Sequence, residues 1–133
     1  MATLKLEVVT PDKTVVSADI ESAVCPGVVG EFGVLPHHVS LLSALSIGDL
    51  RYKADGQEYH VFISGGFADV NNDVLSVLAE SAELAADIDQ ARAQEAKARA
   101  EKRLAAQDEK VDVLRAQAAL SRSLKRLQIA GLA

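Results

Sequence analysis

Glu83-Leu84-Ala85-Ala86-Asp87-Ile88-Asp89-Gln90-Ala91-Arg92 is where the chain changes character, at about Ala86. All 3 prolines, all five aromatics and seven of the 8 glycines lie before that point. After it come alanine, leucine and charge, with Gly131 the one late glycine. Residues 1–86 carry 12 acids and 4 bases (net −8), residues 87–133 carry 7 acids and 10 bases (net +3), and together they give the −5 of the chain. Turn-rich, aromatic-bearing sequence favours sheet, and alanine-rich charged sequence favours helix. The break therefore predicts a sheet module, 1–86, followed by a positive helical module, 87–133. Either one ordinary domain or two small ones fits in 133 residues.

Upstream of the break, Leu4, Leu6 and Val8 alternate with Thr3, Lys5 and Glu7, the two-residue period of a half-buried strand. Pro11-Asp12-Lys13 punctuates it, and Val15 to Val24 reads as a second extended stretch. Asp55-Gly56 and Asn71-Asn72-Asp73 are turn signals between strand-like runs. Such spacing predicts an antiparallel β-sandwich or flattened barrel, and the lack of alternating helices argues against a parallel nucleotide-binding sheet. Ser64-Gly65-Gly66 predicts a bulge or a close backbone approach; no phosphate-loop pattern surrounds it.

Downstream, Asp87 with Gln90 reads as a capping box opening a helix from Ile88 to Gln107. Gln107-Asp108-Glu109-Lys110 is polar enough to turn the chain, and Asp112 offers a cap for a second helix running to about Ala130, with Gly131 as its stop. The expected object is an antiparallel two-helix hairpin. At 3.6 residues per turn, Val113, Leu120, Leu124 and Leu127 share one face of the second helix, and Arg115, Arg122 and Arg126 the opposite one. The first helix repeats the spacing with Arg92, Arg99 and Arg103 near Asp89, and its apolar side is expected at Ala91, Ala98 and Ala105 with Leu104 nearby. Alanine contacts bury little area, so such a hairpin is only marginally held. The arginine stripes fit a solvated face, an anion site for phosphates and a ribose or base, or an acidic segment of a partner protein.

Several classes are disfavoured. No apolar run is long enough to span a bilayer as a helix, and Met1 to Glu7 has neither a signal core nor an arginine-rich transit pattern. An overall acidic balance argues against nucleic-acid binding. The one cysteine, Cys25, is expected as a small buried hydrophobe. The cluster Gly30-Glu31-Phe32-Gly33-Val34-Leu35-Pro36-His37-His38 invites a metal reading, but neighbours on a strand point to opposite faces. It reads as an interaction loop, and no metal or catalytic site is expected; a small enzyme built on His38 or His60 is the weakest reading.

Four segments, in order, resemble the epsilon subunits of bacterial F-type ATP synthase, equivalent to the mitochondrial subunit called delta. They are Val8-Val9-Thr10-Pro11, Gly30 through His38, Ser64-Gly65-Gly66-Phe67, and Ile88-Asp89-Gln90-Ala91-Arg92-Ala93. The resemblance spans the chain. It implies a non-catalytic central-stalk subunit whose sandwich binds the gamma subunit and the c-ring. Glu31 and Phe32 then lie in the loop facing the ring, with His38 toward gamma. It also implies a helical hairpin that folds against the sandwich or extends along gamma into the alpha/beta catalytic head, where it restrains hydrolysis. No cofactor is required, and the location implied is peripheral, at the cytoplasmic face of the bacterial inner membrane. In some members the folded hairpin binds ATP through an Ile/Leu-Asp-x-x-Arg-Ala motif. Here Ile88, Asp89, Arg92 and Ala93 match it, and Glu83, Arg99, Arg122 and Arg126 fit the supporting positions. A free-standing ATP-binding sensor is the alternative reading. Two positions depart from the family pattern: His37 stands where glycine is usual and Ser40 where proline often is.

Overall fold

A computed structural model describes residues 2–106 and 112–133. Eight strands fill the first module: β1 (Leu4–Val9), β2 (Thr14–Ile20), β3 (Ser22–Gly27), β4 (Gly30–Val34), β5 (Leu41–Leu45), β6 (Gly48–Ala54), β7 (Gln57–Asn71) and β8 (Val74–Leu84). A 3₁₀ turn at Ala85–Asp87 leads to helices α1 (Gln90–Ala105) and α2 (Val113–Ala130). The strands run in the order β2-β1-β8-β7-β5-β3-β4, with β6 paired to β3 and β7, and the sheet folds over as a sandwich. The pairs are antiparallel, as expected of the sandwich, with one exception: β1 runs parallel to β8. The parallel pair joins the first and last strands of the module, with β2 outside it.

Two tight turns set the long hairpins. Asp55 and Gly56 have φ of 53° and 75°, and Asn72 and Asp73 have 50° and 59°, the doubly positive geometry that matches strand twist. Between these turns β7 is continuous for 15 residues and changes partner midway, from β6 (Gly48↔Ile63) to β5 (Leu45↔Gly66). Its register with β8 is the same on both sides of Gly65 (Ser64↔Ser81, Gly66↔Ala79), so the glycine pair makes no bulge. It makes a close approach instead. A Cβ on Gly66 would fall 2.0 Å from the Leu78 carbonyl oxygen, and its φ is 115°. Glycine there lets the two layers share a strand.

The core is built from Leu4, Leu6, Val8, Ile20, Leu50, Ile63, Leu75 and their neighbours, all but shut off from solvent. Cys25 is among them, and burial pushes its thiol pKa up to about 12, so it is a packing residue and not a nucleophile.

The hairpin helices meet through small residues. Ala93 and Ala100 of α1 and Ala116 and Ser123 of α2 are buried, and Ser123 Oγ donates to the Ala119 carbonyl at 2.9 Å. This corrects two expectations. Ala91, Ala98 and Ala105 face outward, and Val113, Leu124 and, in part, Leu120 and Leu127 stay outside the seam. Every candidate face of α1 is alanine, so hydrophobicity alone does not choose one. The chosen face sets Arg92 and Arg99 at the margin of the seam, beside Glu83. The cap is corrected as well. Asp89, not Asp87, caps α1, its carboxylate accepting from Arg92 N at 3.0 Å. Asp112 caps α2 by accepting from Arg115 N at 3.1 Å. The anticipated turn at Gln107-Asp108-Glu109-Lys110 lies outside the described residues. Gly131 ends α2 at the expected place, with an ordinary right-handed backbone (φ −68°).

The end of α2 docks on the sandwich. Ile129 and Ala130 pack with Phe62, Ala85 and Ile88 in a second, small core beside Ile47.

Candidate functional site: the junction of sandwich and hairpin

A cavity of about 490 Å³ opens where the two modules meet. The end of β8 contributes Glu83 and Leu84, and the 3₁₀ turn contributes Asp87. From the α1 side come Asp89, Arg92, Ala93, Ala96 and Arg99, from α2 comes Arg126, and from the turn into β2 come Lys13, Thr14 and Val15. A second chamber of about 210 Å³ lies between the helices and shares Ala96, Arg99 and Arg126 with the first. Arg103 and Arg122 belong to this inner chamber. The small residues that thin the seam also leave this room between the helices.

Arg126 crosses the junction. Its Nε donates to Glu83 Oε1 at 2.9 Å, and its guanidinium lies 4.4 Å from the centroid of the Phe62 ring. One side chain of α2 thus holds a carboxylate and an aromatic face of the sandwich at once.

Of the eight residues expected to bind nucleotide, Glu83, Asp89, Arg92, Ala93, Arg99 and Arg126 line the outer cavity and Arg122 the inner one. Ile88 does not line either. It is buried in the second core, where it fixes the chain between sandwich and α1. Lys13, Thr14 and Asp87 also line the wall and were not among the residues expected there from the sequence. Their signal is weak, because Lys13 lies some seventy residues from the motif.

The residues of the expected contact loop spread along one edge. Glu31, at the start of β4, is exposed and ion-paired with Arg51 at 2.8 Å. Phe32 turns inward and packs on the core. His38 lies beyond the other end of β4, its Nδ1 2.6 Å from the Val39 carbonyl oxygen. Between and around them Val28, Val29, Leu35, Val39 and Leu42 are exposed. His37 has φ 66°, a backbone that glycine adopts freely, and Asp73 holds it through the His37 N–H at 2.6 Å and the imidazole at 3.4 Å. His60 is paired elsewhere, with Asp49 at 2.7 Å. The three histidines therefore share no site, and among the described residues no group of three metal-ligating side chains exists. A further apolar patch was missed by the sequence reading: Phe67 and Leu78, directly paired across β7 and β8, are 55% and 60% exposed beside Val9 and Pro11.

With this geometry in view, the comparisons with known proteins are specific. Residues 3–85 match the family described as "ATP synthase, Delta/Epsilon chain, beta-sandwich domain", and residues 86–131 match "ATP synthase, Delta/Epsilon chain, long alpha-helix domain". The chain belongs to the ATP synthase delta/epsilon family. It is 59% identical over 128 residues to the ATP synthase epsilon chain of Nitratidesulfovibrio vulgaris strain DP4, covering 96% of both chains. It is 45% identical to the epsilon chain of Bacillus licheniformis, covering 98% of this chain and 99% of that one. A chain of the Euglena gracilis mitochondrial ATP synthase structure (OSCP/F1/c-ring) superposes with a TM-score of 0.81 at 25% identity, covering all of this chain and 83% of that one. Delta/epsilon chains are non-catalytic subunits of ATP synthase, in the central stalk of its F1 sector, and this chain is one of them. Among the described residues no helix is long and apolar enough to cross a membrane.

Proposed function

We propose that the chain couples rotation and regulates hydrolysis in its ATP synthase through a division of labour between its two modules. The sandwich stays on the rotor, at the cytoplasmic face of the bacterial inner membrane. Its loop carrying Glu31 and Phe32 meets the c-ring, and the surface at His38 meets the gamma subunit. The hairpin is the regulatory part. Folded down, it shares the junction cavity with the sandwich and takes ATP there as a regulatory ligand. Released, it extends along gamma to the alpha/beta head and restrains hydrolysis, its basic helix meeting an acidic loop.

The observation that carries this reading is the junction cavity itself, whose walls come from both modules and hold Arg92, Arg99 and Arg126 against Glu83, Asp87 and Asp89. Guanidiniums recognise phosphate oxygens in paired geometry, and carboxylates accept from a base amine or a ribose hydroxyl. A ligand touching both walls favours the folded hairpin by its difference in affinity for the two states. Reconstitution with the remaining subunits is the test. Deleting residues 88–133 leaves gamma binding intact and raises ATP hydrolysis. Loss of gamma binding, or unchanged hydrolysis, overturns the division of labour.

A further inference from the structure

The junction cavity has one cation that comes neither from the hairpin nor from the recognised motif. Lys13 closes the turn between β1 and β2, where Thr10 N donates to the Lys13 carbonyl at 2.9 Å and Lys13 N donates to Thr10 Oγ1 at 3.3 Å. These bonds fix the lysine backbone at the rim of the outer cavity, across from α1. The charged groups of that wall are Lys13, Arg92, Arg99 and Arg126 against Glu83, Asp87 and Asp89, four positive and three negative. Without Lys13 the wall is electrically balanced. Arg126 is moreover committed to Glu83 and to the Phe62 ring. Lys13 takes part in no ion pair among the described residues.

We propose that Lys13 is a specificity-determining residue of the junction cavity, supplying from the sandwich the charge that makes it select a nucleoside triphosphate over less charged nucleotides. The inference rests on the nucleotide reading above and deepens it. An ammonium acts on phosphate as a mobile point charge, so an exposed lysine at the rim contributes through its charge and needs no fixed fork. A concave wall with one sign of net charge also concentrates ligand of the opposite sign. Since Lys13 faces the hairpin only when the hairpin is folded down, the interaction it makes with phosphate belongs to the folded state alone. Selection for charge and closure of the hairpin are then one event.

Calorimetry on the full chain with ATP, AMP and adenosine, at low and high salt, tests this. Lys13→Gln weakens ATP about fivefold, the scale of one exposed charge pair. It weakens AMP less and leaves adenosine unchanged, and it flattens the salt dependence of ATP binding. Lys13→Arg restores ATP affinity, and Arg92→Ala weakens all three ligands. Equal ATP affinity in wild type and Lys13→Gln, or equal loss for ATP and adenosine, overturns the role of Lys13 and leaves the nucleotide site standing. A wild-type chain that binds no ATP at millimolar concentration overturns the site and the inference together.

Discussion

The sandwich and the hairpin are closed by different materials. Leu4, Leu6, Ile20, Leu50, Ile63 and Leu75 are each at most 1% exposed, and each contributes a full aliphatic side chain to one continuous core. The helix seam is closed by Ala93, Ala100, Ala116 and Ser123, and the helices reach the sandwich mainly through Ile88, Ile129 and Ala130 around Phe62. At roughly 25 cal/mol per Å² of apolar surface, the larger aliphatic core holds the first module more firmly than the small one holds the second. Specific polar contacts, chiefly Arg126 with Glu83, are left to position the hairpin. The proposed division of labour, with one half fixed and the other freed, needs this inequality.

The sharpest way to break the comparison is to damage the stronger half. Gly66→Ala places a methyl against the Leu78 carbonyl oxygen and Ala79 Cα, both backbone, at a φ that side chains rarely adopt. Neither neighbour has a flexible end to move. The expected loss is about 4 kcal/mol, at the severe end for a single change, read by chemical denaturation of the sandwich signal. A loss under about 1 kcal/mol would mean that the shared strand is not pinned at Gly66.

The complementary change damages only the docking. Ile129→Ala empties a site with no solvent exposure in the five-residue second core. We expect about 3 kcal/mol, felt as release of the hairpin and not as unfolding of the sandwich. Hydrogen exchange separates the two, since amides of α1 and α2 lose protection while those of β1, β7 and β8 keep theirs. Uniform loss of protection would show that the modules form one cooperative unit.

Much of this inequality is legible in the sequence. The loss of proline, glycine and aromatics near Ala86 marks the change of material, and alternation in Leu4 to Val8 finds the strand that leads the core. The two type I′ turns fall at the predicted Asp-Gly and Asn-Asp pairs. Three things are not legible, each for a physical reason. The β1–β8 pairing joins residues some seventy apart, and no local pattern encodes a parallel neighbour. The buried face of α1 escaped because alanine occupies every side of it, leaving tertiary context to choose. Lys13 reaches the junction cavity through the return of β8 alongside β1, so only the folded chain brings it to Arg92.

The smallest effect bears on the hinge between the two materials. Two aspartates compete to start α1, and spacing favours Asp87 because Gln90 follows at the capping-box distance. The structure uses Asp89 because Ile88 is buried in the second core, which holds it extended (ψ 125°) and ends the 3₁₀ turn. Asp89 then adopts the extended backbone of a cap, φ −79° and ψ 98°, and its carboxylate meets Arg92 N. Asp112 repeats the arrangement with Arg115, so Asp-x-x-Arg opens both helices. Asp89→Ala is expected to lower hairpin stability by about 1 kcal/mol in nucleotide-free protein, measured by exchange in the first turn of α1. Asp87→Ala should change it by only a few tenths, the usual range for a surface substitution that removes no cap. The reverse order would mean that the helix begins two residues earlier and that Ile88 does not set the hinge.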